Sequence, residues 1–363
     1  MQGGHLRPSV ARGPKGGKAR FAADAVAALY RPLHDAGPSL GDRPMTPETD
    51  WCTATGPLPR FPVHLDPPDL RPWLDGNTGI PGVWRFRAAM PGPRIVITAL
   101  MHGNEIAGAA ALDRMLRARP APRRGTLSLV FANLDAARRF DRHNPTASRF
   151  ADEDLNRLWE DAVLNGSRAS LELSRARALR PVIDTADVLL DLHSMLWPSD
   201  PLILCGPSGK GRRFAEAVAV PSLIVADHGH VGGRRLIDYE RFVDETNDAT
   251  AILVEAGQHW EPATVDAMLE TIGRVLAVTG LGPPWPLASQ PRVAEVTLAV
   301  TASSGAFAFA APYRGGEVIA RRDTLIAVDG ATEIRTPHDD CLLVMPSLRP
   351  SRGHTAVRLA RFI

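Results

Sequence analysis

Cysteine is scarce in this sequence, and its scarcity is informative. The 363 residues include three, Cys52, Cys205 and Cys341, widely separated, odd in number and without a C-x-x-C pair. Such a set supports neither a disulfide framework nor a thiolate metal cluster and fits reduced thiols in a cytoplasmic protein. Net charge is nearly absent as well. Lys and Arg total 42 against 40 Asp and Glu, leaving +2, so the overall balance favours neither nucleic acid nor an anionic membrane surface as a partner. There is no run of 18 apolar residues and no apolar stretch behind the basic residues near the N-terminus, so neither a membrane span nor a secretory signal is expected. Internal repeats are lacking.

What is present is enough apolar sequence, 44% of the chain, for a large core. Residues 1–44 scatter Gly3, Gly4, Gly16 and Gly17 among Arg7, Arg12, Lys15, Lys18 and Arg20, and read as a disordered basic extension. A nucleic-acid-binding arm is the competing reading, weakened by the lack of interleaved aromatics. Met45 offers a second start. Residues 46–93 set Trp51, Trp73 and Trp84 among many prolines, as in loops and edge strands. From Arg94 the apolar runs RIVITAL, LSLVFAN, VLLDL, PLILC, SLIVA and AILVEA alternate with helical stretches, including Leu171 to Ile183. That alternation predicts an α/β fold with a mostly parallel central sheet flanked by helices, over residues 45–288. After the turn-rich LGPPWP around Leu281, short alternating runs from Val293 to Ile363 predict a small C-terminal all-β domain over 289–363.

The chain turns on Arg94 to Glu105, RIVITALMHGNE. A near-continuous apolar strand stops at His102, Gly103, Asn104 and Glu105, and the Ala-rich IAGAAALDRMLRA that follows is helical in pattern. In open α/β sheets ligands bind outside the carboxyl ends of strands, so an imidazole and a carboxylate on this elbow are candidate ligands. His193 ends a second strand, VLLDLH. With His102 and Glu105 it makes a His2Glu set, a pattern of catalytic zinc that leaves one position open. The spacing is that of a loop-and-strand site, unlike the helical H-E-x-x-H. Asp191 projects on the same side of its strand as His193 and either orients an imidazole or caps a loop.

Between these blocks lies NPTASRFADEDLNRLW, residues 144–159, with Arg149, Asn156 and Arg157. Two arginines and an amide suit a substrate carboxylate. Equally, the segment reads as a helix start in which Asp152, Glu153 and Asp154 pair with those arginines at the surface. A third strand, AILVEAGQ, ends at Glu255. A carboxylate beside activated water is the general base of metal-assisted hydrolysis, and a salt-bridged strand end is the plainer alternative.

HGNE at 102–105, NPTASRFADEDLNR at 144–157, DLHS at 191–194 and VEAG at 254–257 together resemble the succinylglutamate desuccinylase and aspartoacylase family, itself related to zinc carboxypeptidases. The resemblance covers most of residues 94–260. It implies one zinc per chain held by His102, Glu105 and His193, with Glu255 as general base and acid. It further implies that Arg149 polarises the scissile carbonyl, that Asn156 and Arg157 grip the carboxylate of the amino-acid half, and that the C-terminal β segment walls the channel. There is one departure. Aspartoacylases place a further substrate-binding arginine shortly before the catalytic Glu, whereas DETNDAT, residues 244–250, has none. Arg234 and Arg235 are candidate substitutes, with plain surface arginines as the alternative. Trp197 and Trp260 point to a partly aromatic pocket and to an acyl group less acidic than aspartyl or succinyl.

The expectation is therefore a cytoplasmic zinc-dependent deacylase acting on an N-acyl amino acid or related small carboxylate, with no nucleic-acid or membrane partner and with homo-oligomerisation left open. A carboxypeptidase or esterase on the same fold is one alternative. A non-catalytic binding or regulatory protein on a hydrolase scaffold is another.

Overall fold

The structure, a computed structural model, describes residues 59–229, 232–287 and 289–363. The basic extension, Met45, Trp51 and Cys52 lie outside the described residues. Among the described residues seven strands precede residue 289: β1 (Val83–Arg87), β2 (Arg94–Ala99), β3 (Thr126–Phe131), β4 (Val188–Met195), β5 (Leu202–Leu204), β6 (Leu223–Ala226) and β7 (Thr250–Gln258). Seven follow: β8 (Arg292–Thr301), β9 (Phe307–Phe309), β10 (Val318–Ile319), β11 (Leu325–Asp329), β12 (Thr332–Arg335), β13 (Cys341–Val344) and β14 (Thr355–Phe362). The longer helices are α1 (Ile106–Arg117), α2 (Leu171–Ile183), α3 (Gly209–Val218) and α4 (Pro262–Val278).

Eleven strands form one sheet in the order β1-β3-β2-β4-β7-β5-β6-β8-β14-β13-β10, and β12-β11-β9 form a second. The large sheet is mixed, where a mostly parallel one was expected. Parallel pairing holds from β3 through β2 and β4 to β7, and again from β5 through β6 to β8. Strand β1, the β7–β5 contact and the β8–β14–β13–β10 run are antiparallel. The reason lies in the connections. Parallel neighbours need a long crossover. The link 196–201 between β4 and β5 is too short for one, so β5 runs opposite to β4 and to β7. Residues 289–363 thus contribute to both sheets: β8, β14, β13 and β10 extend the large one, and β9, β11 and β12 make the small one.

Strands that are covered on both faces read as continuous apolar runs. Ile95 to Ala99 of β2, all of β4, and Thr250 to Gly257 of β7 are buried. Ile95, Ile97, Leu190, Leu192 and Val254 pack in one core with α1 and α4, whereas Val96, Leu189 and Leu253 face the other with α2. A third cluster joins Trp197 to Phe307, Phe309, Val357 and Leu359. Among the described residues no helix is long and apolar enough to cross a membrane.

Candidate active site

The carboxyl ends of β2, β4 and β7 lie side by side at the centre of the large sheet. His193 of β4 and Glu255 of β7 are register partners. After β2 the chain turns through Leu100, whose φ is 58°, into His102 and Gly103. A Cβ on Gly103 would lie 2.4 Å from the Ala136 carbonyl carbon, so glycine alone fits where this elbow crosses a neighbouring turn. Glu105 then forms the N-cap of α1. The elbow is fixed from two sides: the Trp260 indole donates to Asn104 O at 2.9 Å, and Gly103 N–H donates to Arg149 O at 3.0 Å.

That last bond ties the ligand elbow to the segment carrying the arginines. The segment has its own anchor. Glu172, buried at the start of α2, accepts the N–H groups of Ala151, Asp152 and Glu153 at 2.6, 3.0 and 3.2 Å, and Asn133 Nδ2 at 3.0 Å. Burial acts against its charge, yet these donors hold its carboxyl below the usual range.

His102, Glu105 and His193 are all buried, and one donor atom from each lies within 4.8 Å of the others. The Nδ1 atoms of both imidazoles face Glu105, at 2.6 Å for His102 and 3.1 Å for His193. The Nε2 atoms face carboxylates instead: Asp154 Oδ1 at 3.0 Å from His102, and Asp191 Oδ2 at 2.9 Å from His193. Asp191 is itself fixed by the Thr98 hydroxyl at 2.5 Å. Carboxylates on the outer nitrogens orient metal-binding imidazoles, and the inner nitrogens converge with Glu105, so this donor set fits a zinc ion. Charge in the triad is strongly coupled. Burial opposes ionisation of Glu105, but His102 and His193 hold its carboxyl well below the ordinary value. Burial likewise opposes a charged His193, but Asp191 and Glu105 raise it well above the ordinary imidazole value.

Glu255 is 6% exposed. Among the described residues its buried Oε2 has no hydrogen-bond partner, and burial pushes its carboxyl up to about 8. All four groups line a cavity of about 760 Å³. Arg149 enters it beside the triad, with one guanidinium nitrogen 2.9 Å from His102 Nε2 and 3.2 Å from Asp154 Oδ2. Asn156 lines the cavity too, but both ends of its amide are engaged. Its Oδ1 accepts Leu236 N–H at 2.8 Å, and its Nδ2 lies 3.5 Å from His193 Nε2. Arg157 donates to Asn156 O at 2.8 Å and approaches Asp154 at 3.9 Å. Trp197 lines the wall, with Phe61 edge-on at 5.3 Å.

The structure separates the remaining candidates. Arg234 is absent from the cavity wall and pairs with Glu240 at 2.8 Å. Arg235 reaches the wall but is buried and committed, with bonds of 2.6 to 3.0 Å to Asp227 and Asp238. Its fork is filled by the protein. Trp260 is core, outside the cavity lining.

Sequence reasoning passed over three groups. Asp154 was legible only as a surface partner of the arginines, whereas it braces His102. His259, whose burial lowers it to about 4 and so keeps it neutral, bonds Ser194 Oγ at 2.6 Å behind the triad. Arg358 lines the cavity from β14. Its signal was available as a charge in the middle of the apolar run AVRLA.

Comparison with solved structures places the fold. Succinylglutamate desuccinylase from Vibrio parahaemolyticus is 15% identical, with TM-score 0.58 over 77% of this chain and 86% of that one. An aspartoacylase family protein from Mesorhizobium loti is 19% identical, with TM-score 0.56 over 77% and 88%. The product-bound ectoine utilization protein of Ruegeria pomeroyi is 17% identical, with TM-score 0.55 over 77% and 87%. No curated protein matches the sequence. The profile of the succinylglutamate desuccinylase/aspartoacylase catalytic domain matches residues 91–278, a span that holds the three candidate ligands, Glu255 and the arginine segment, and the chain belongs to that family.

Proposed function

We propose that this chain hydrolyses the amide bond of an N-acylated amino acid, or a similar small carboxylate, with one zinc ion held by His102, Glu105 and His193. The observation that carries the reading is Glu255. A buried carboxylate with an oxygen unpartnered among the described residues stands in register with a candidate ligand and faces the cavity lined by the triad, Arg149 and Arg157. A structural ion pair would have filled that oxygen.

When bound, zinc supplies Lewis acidity, making water a nucleophile near neutral pH and drawing charge from the acyl carbonyl. The rest follows from side chains. Glu255 takes a proton from the attacking water as the new C–O bond forms, then passes it to the amide nitrogen as the C–N bond breaks, giving a free acid and an amine. Arg149, beside His102, donates to the carbonyl oxygen as negative charge develops there. Arg157 holds the carboxylate of the amino-acid half. Asn156 supports it indirectly, fixing the segment 236–238 against His193.

The test pairs zinc analysis with kinetics on acyl amino acids, dipeptides and carboxylate esters. Glu255→Gln should bind zinc as the wild type does and lose about a hundredfold or more in turnover on acyl amino acids. Wild-type turnover in that variant would remove the general base from the scheme. Faster cleavage of dipeptides or esters than of acyl amino acids would reassign the bond.

A further inference from the structure

The turn that follows β7 touches both elements that carry the candidate ligands. His259 and Trp260 are buried, 3% and 1% exposed, and they reach in two directions. His259 Nδ1 lies 2.6 Å from the hydroxyl of Ser194, next to His193 at the end of β4. The Trp260 indole donates to Asn104 O at 2.9 Å, next to Glu105 on the elbow. Trp260 holds a φ of 62°. That left-handed conformation is costly for a bulky side chain and persists only where the surroundings enforce it, which happens most often at functional sites.

Ser194 stands where the β ladder is interrupted. β4 and β7 pair at His193–Glu255 and next at Met195–Gln258, so two residues of β7, Ala256 and Gly257, lie opposite Ser194 in a bulge. On the other side β2 has ended, its last register pair with β4 being Thr98–Asp191. Ser194 N–H turns to Glu105 Oε2 at 3.2 Å, the oxygen that also faces His193 Nδ1 at 3.1 Å. His259 brackets this peptide from both ends. Its own N–H donates to Met195 O at 2.7 Å, and its ring meets the Ser194 hydroxyl. That hydroxyl has no other partner among the described residues, and burial keeps the imidazole neutral, so the hydroxyl donates and Nδ1 accepts.

We propose that His259 is a positioning residue for the candidate metal site and forms a clamp with Trp260. Through Ser194, His259 fixes the backbone that carries His193 and the N–H that holds Glu105, while Trp260 fixes the elbow from its other end. The inference rests on the function proposed above. Strand β7 then serves the site twice: it carries the general base at 255 and, past the bulge, the brace for ligands borne by two other elements.

The experiment reads zinc affinity by competition with a chromophoric chelator, the visible absorption of the cobalt-substituted protein, and kcat and KM on N-acetyl and N-succinyl amino acids. His259→Leu removes the acceptor and should weaken zinc binding by about tenfold to a hundredfold and change the cobalt spectrum. At saturating zinc it should lower kcat by about tenfold and leave KM within about threefold. His259→Asn offers an amide oxygen to the same hydroxyl and should bring zinc affinity back to within about threefold of wild type. Ser194→Ala should weaken zinc binding as the leucine variant does, and the double variant should lose no more than either single one, because the two side chains act as a unit. Trp260→Phe keeps a ring, gives up the indole N–H and should weaken zinc binding about threefold to tenfold. Should the leucine variant fail to fold, the alanine and asparagine variants carry the test. Wild-type zinc affinity in folded His259→Leu or in Ser194→Ala, equal losses in the leucine and asparagine variants, or losses that add in the double variant would overturn the assignment. Zinc-loaded wild-type protein that cleaves no N-acyl amino acid would sink the functional reading, while the affinities would still decide the positioning role.

Discussion

Zinc binding to this site is expected to expel protons at pH 7, with Glu255 supplying nearly one of them. In the cation-free protein Glu255 is raised to about 8 by burial, so about nine in ten molecules hold a proton there at pH 7. His193 is also protonated: burial acts against its charge, but Asp191 and Glu105 hold it well above the ordinary imidazole value. Glu105 contributes no proton, because the two histidines keep it ionised against the opposing effect of burial. A ligating imidazole must be neutral, and a dication next to Glu255 favours its carboxylate. The cation therefore displaces one proton from His193 and nearly one from Glu255. By linkage, apparent affinity should rise with pH around pH 7, and more steeply in the wild type than in Glu255→Gln. At pH 9 Glu255 is already about nine-tenths ionised without metal, and its share of the release falls to about a tenth of a proton. The measurement is titration calorimetry with zinc in buffers of differing ionisation enthalpy, where the slope of heat against buffer enthalpy counts protons. Glu255→Gln should release about one proton fewer than wild type at pH 7 and almost the same number at pH 9. A slope of zero at pH 7, or one that neither the substitution nor the pH change alters, would refute the electrostatic account of the site.

Two further outcomes test how the site is held. Gly103→Ala drives a Cβ to 2.4 Å from backbone at Ala136, so thermal melting should reveal about 1–3 kcal/mol of destabilisation, together with weaker zinc binding as the His102 elbow shifts. A variant that melts and binds zinc like wild type would show that the elbow relaxes freely. Glu172→Gln places an amide NH2 among the N–H groups of 151–153 and should cost about 1–3 kcal/mol at pH 7 in denaturant titration. Its sign with pH is fixed: a carboxyl depressed by folding stabilises above its unfolded pKa, and that contribution is lost as pH falls through the folded value. The gap between wild type and variant should close toward pH 3, and a gap independent of pH would show that ionised Glu172 does not anchor the segment.

What was legible in the sequence was whatever a strand imposes on its own end. Buried parallel strands must be apolar on both faces, so His102, His193 and Glu255 stood out as polar groups at the limits of apolar runs, and the sheet places those limits side by side. Asp191 followed from the two-residue period of β4, which sets it 2.9 Å from His193. The sheet as a whole was less legible, because pairing direction depends on the length of connections and on which edge is free, and local pattern carries neither. The 196–201 link reverses β5, and the run from β8 to β10 then extends the same sheet instead of closing apart from it.

Arginine was where pattern failed, and the failure has a physical cause. A guanidinium is charged in almost any setting, so its role is decided by whether the protein fills its fork, and that depends on carboxylates far away in sequence. Arg234 and Arg235 were attractive for their place in a glycine-containing stretch. Glu240 engages the first, and Asp227 with Asp238 saturates the second. Arg358 drew no attention in a stretch that otherwise reads as plain β structure, yet it is buried on the cavity wall and its guanidinium makes no hydrogen bond among the described residues. For a buried cation, then, the informative quantity is the acceptor capacity remaining around it, and in this cavity the shortfall lies at Arg358, whose single ion pair is a 3.6 Å approach to Asp227.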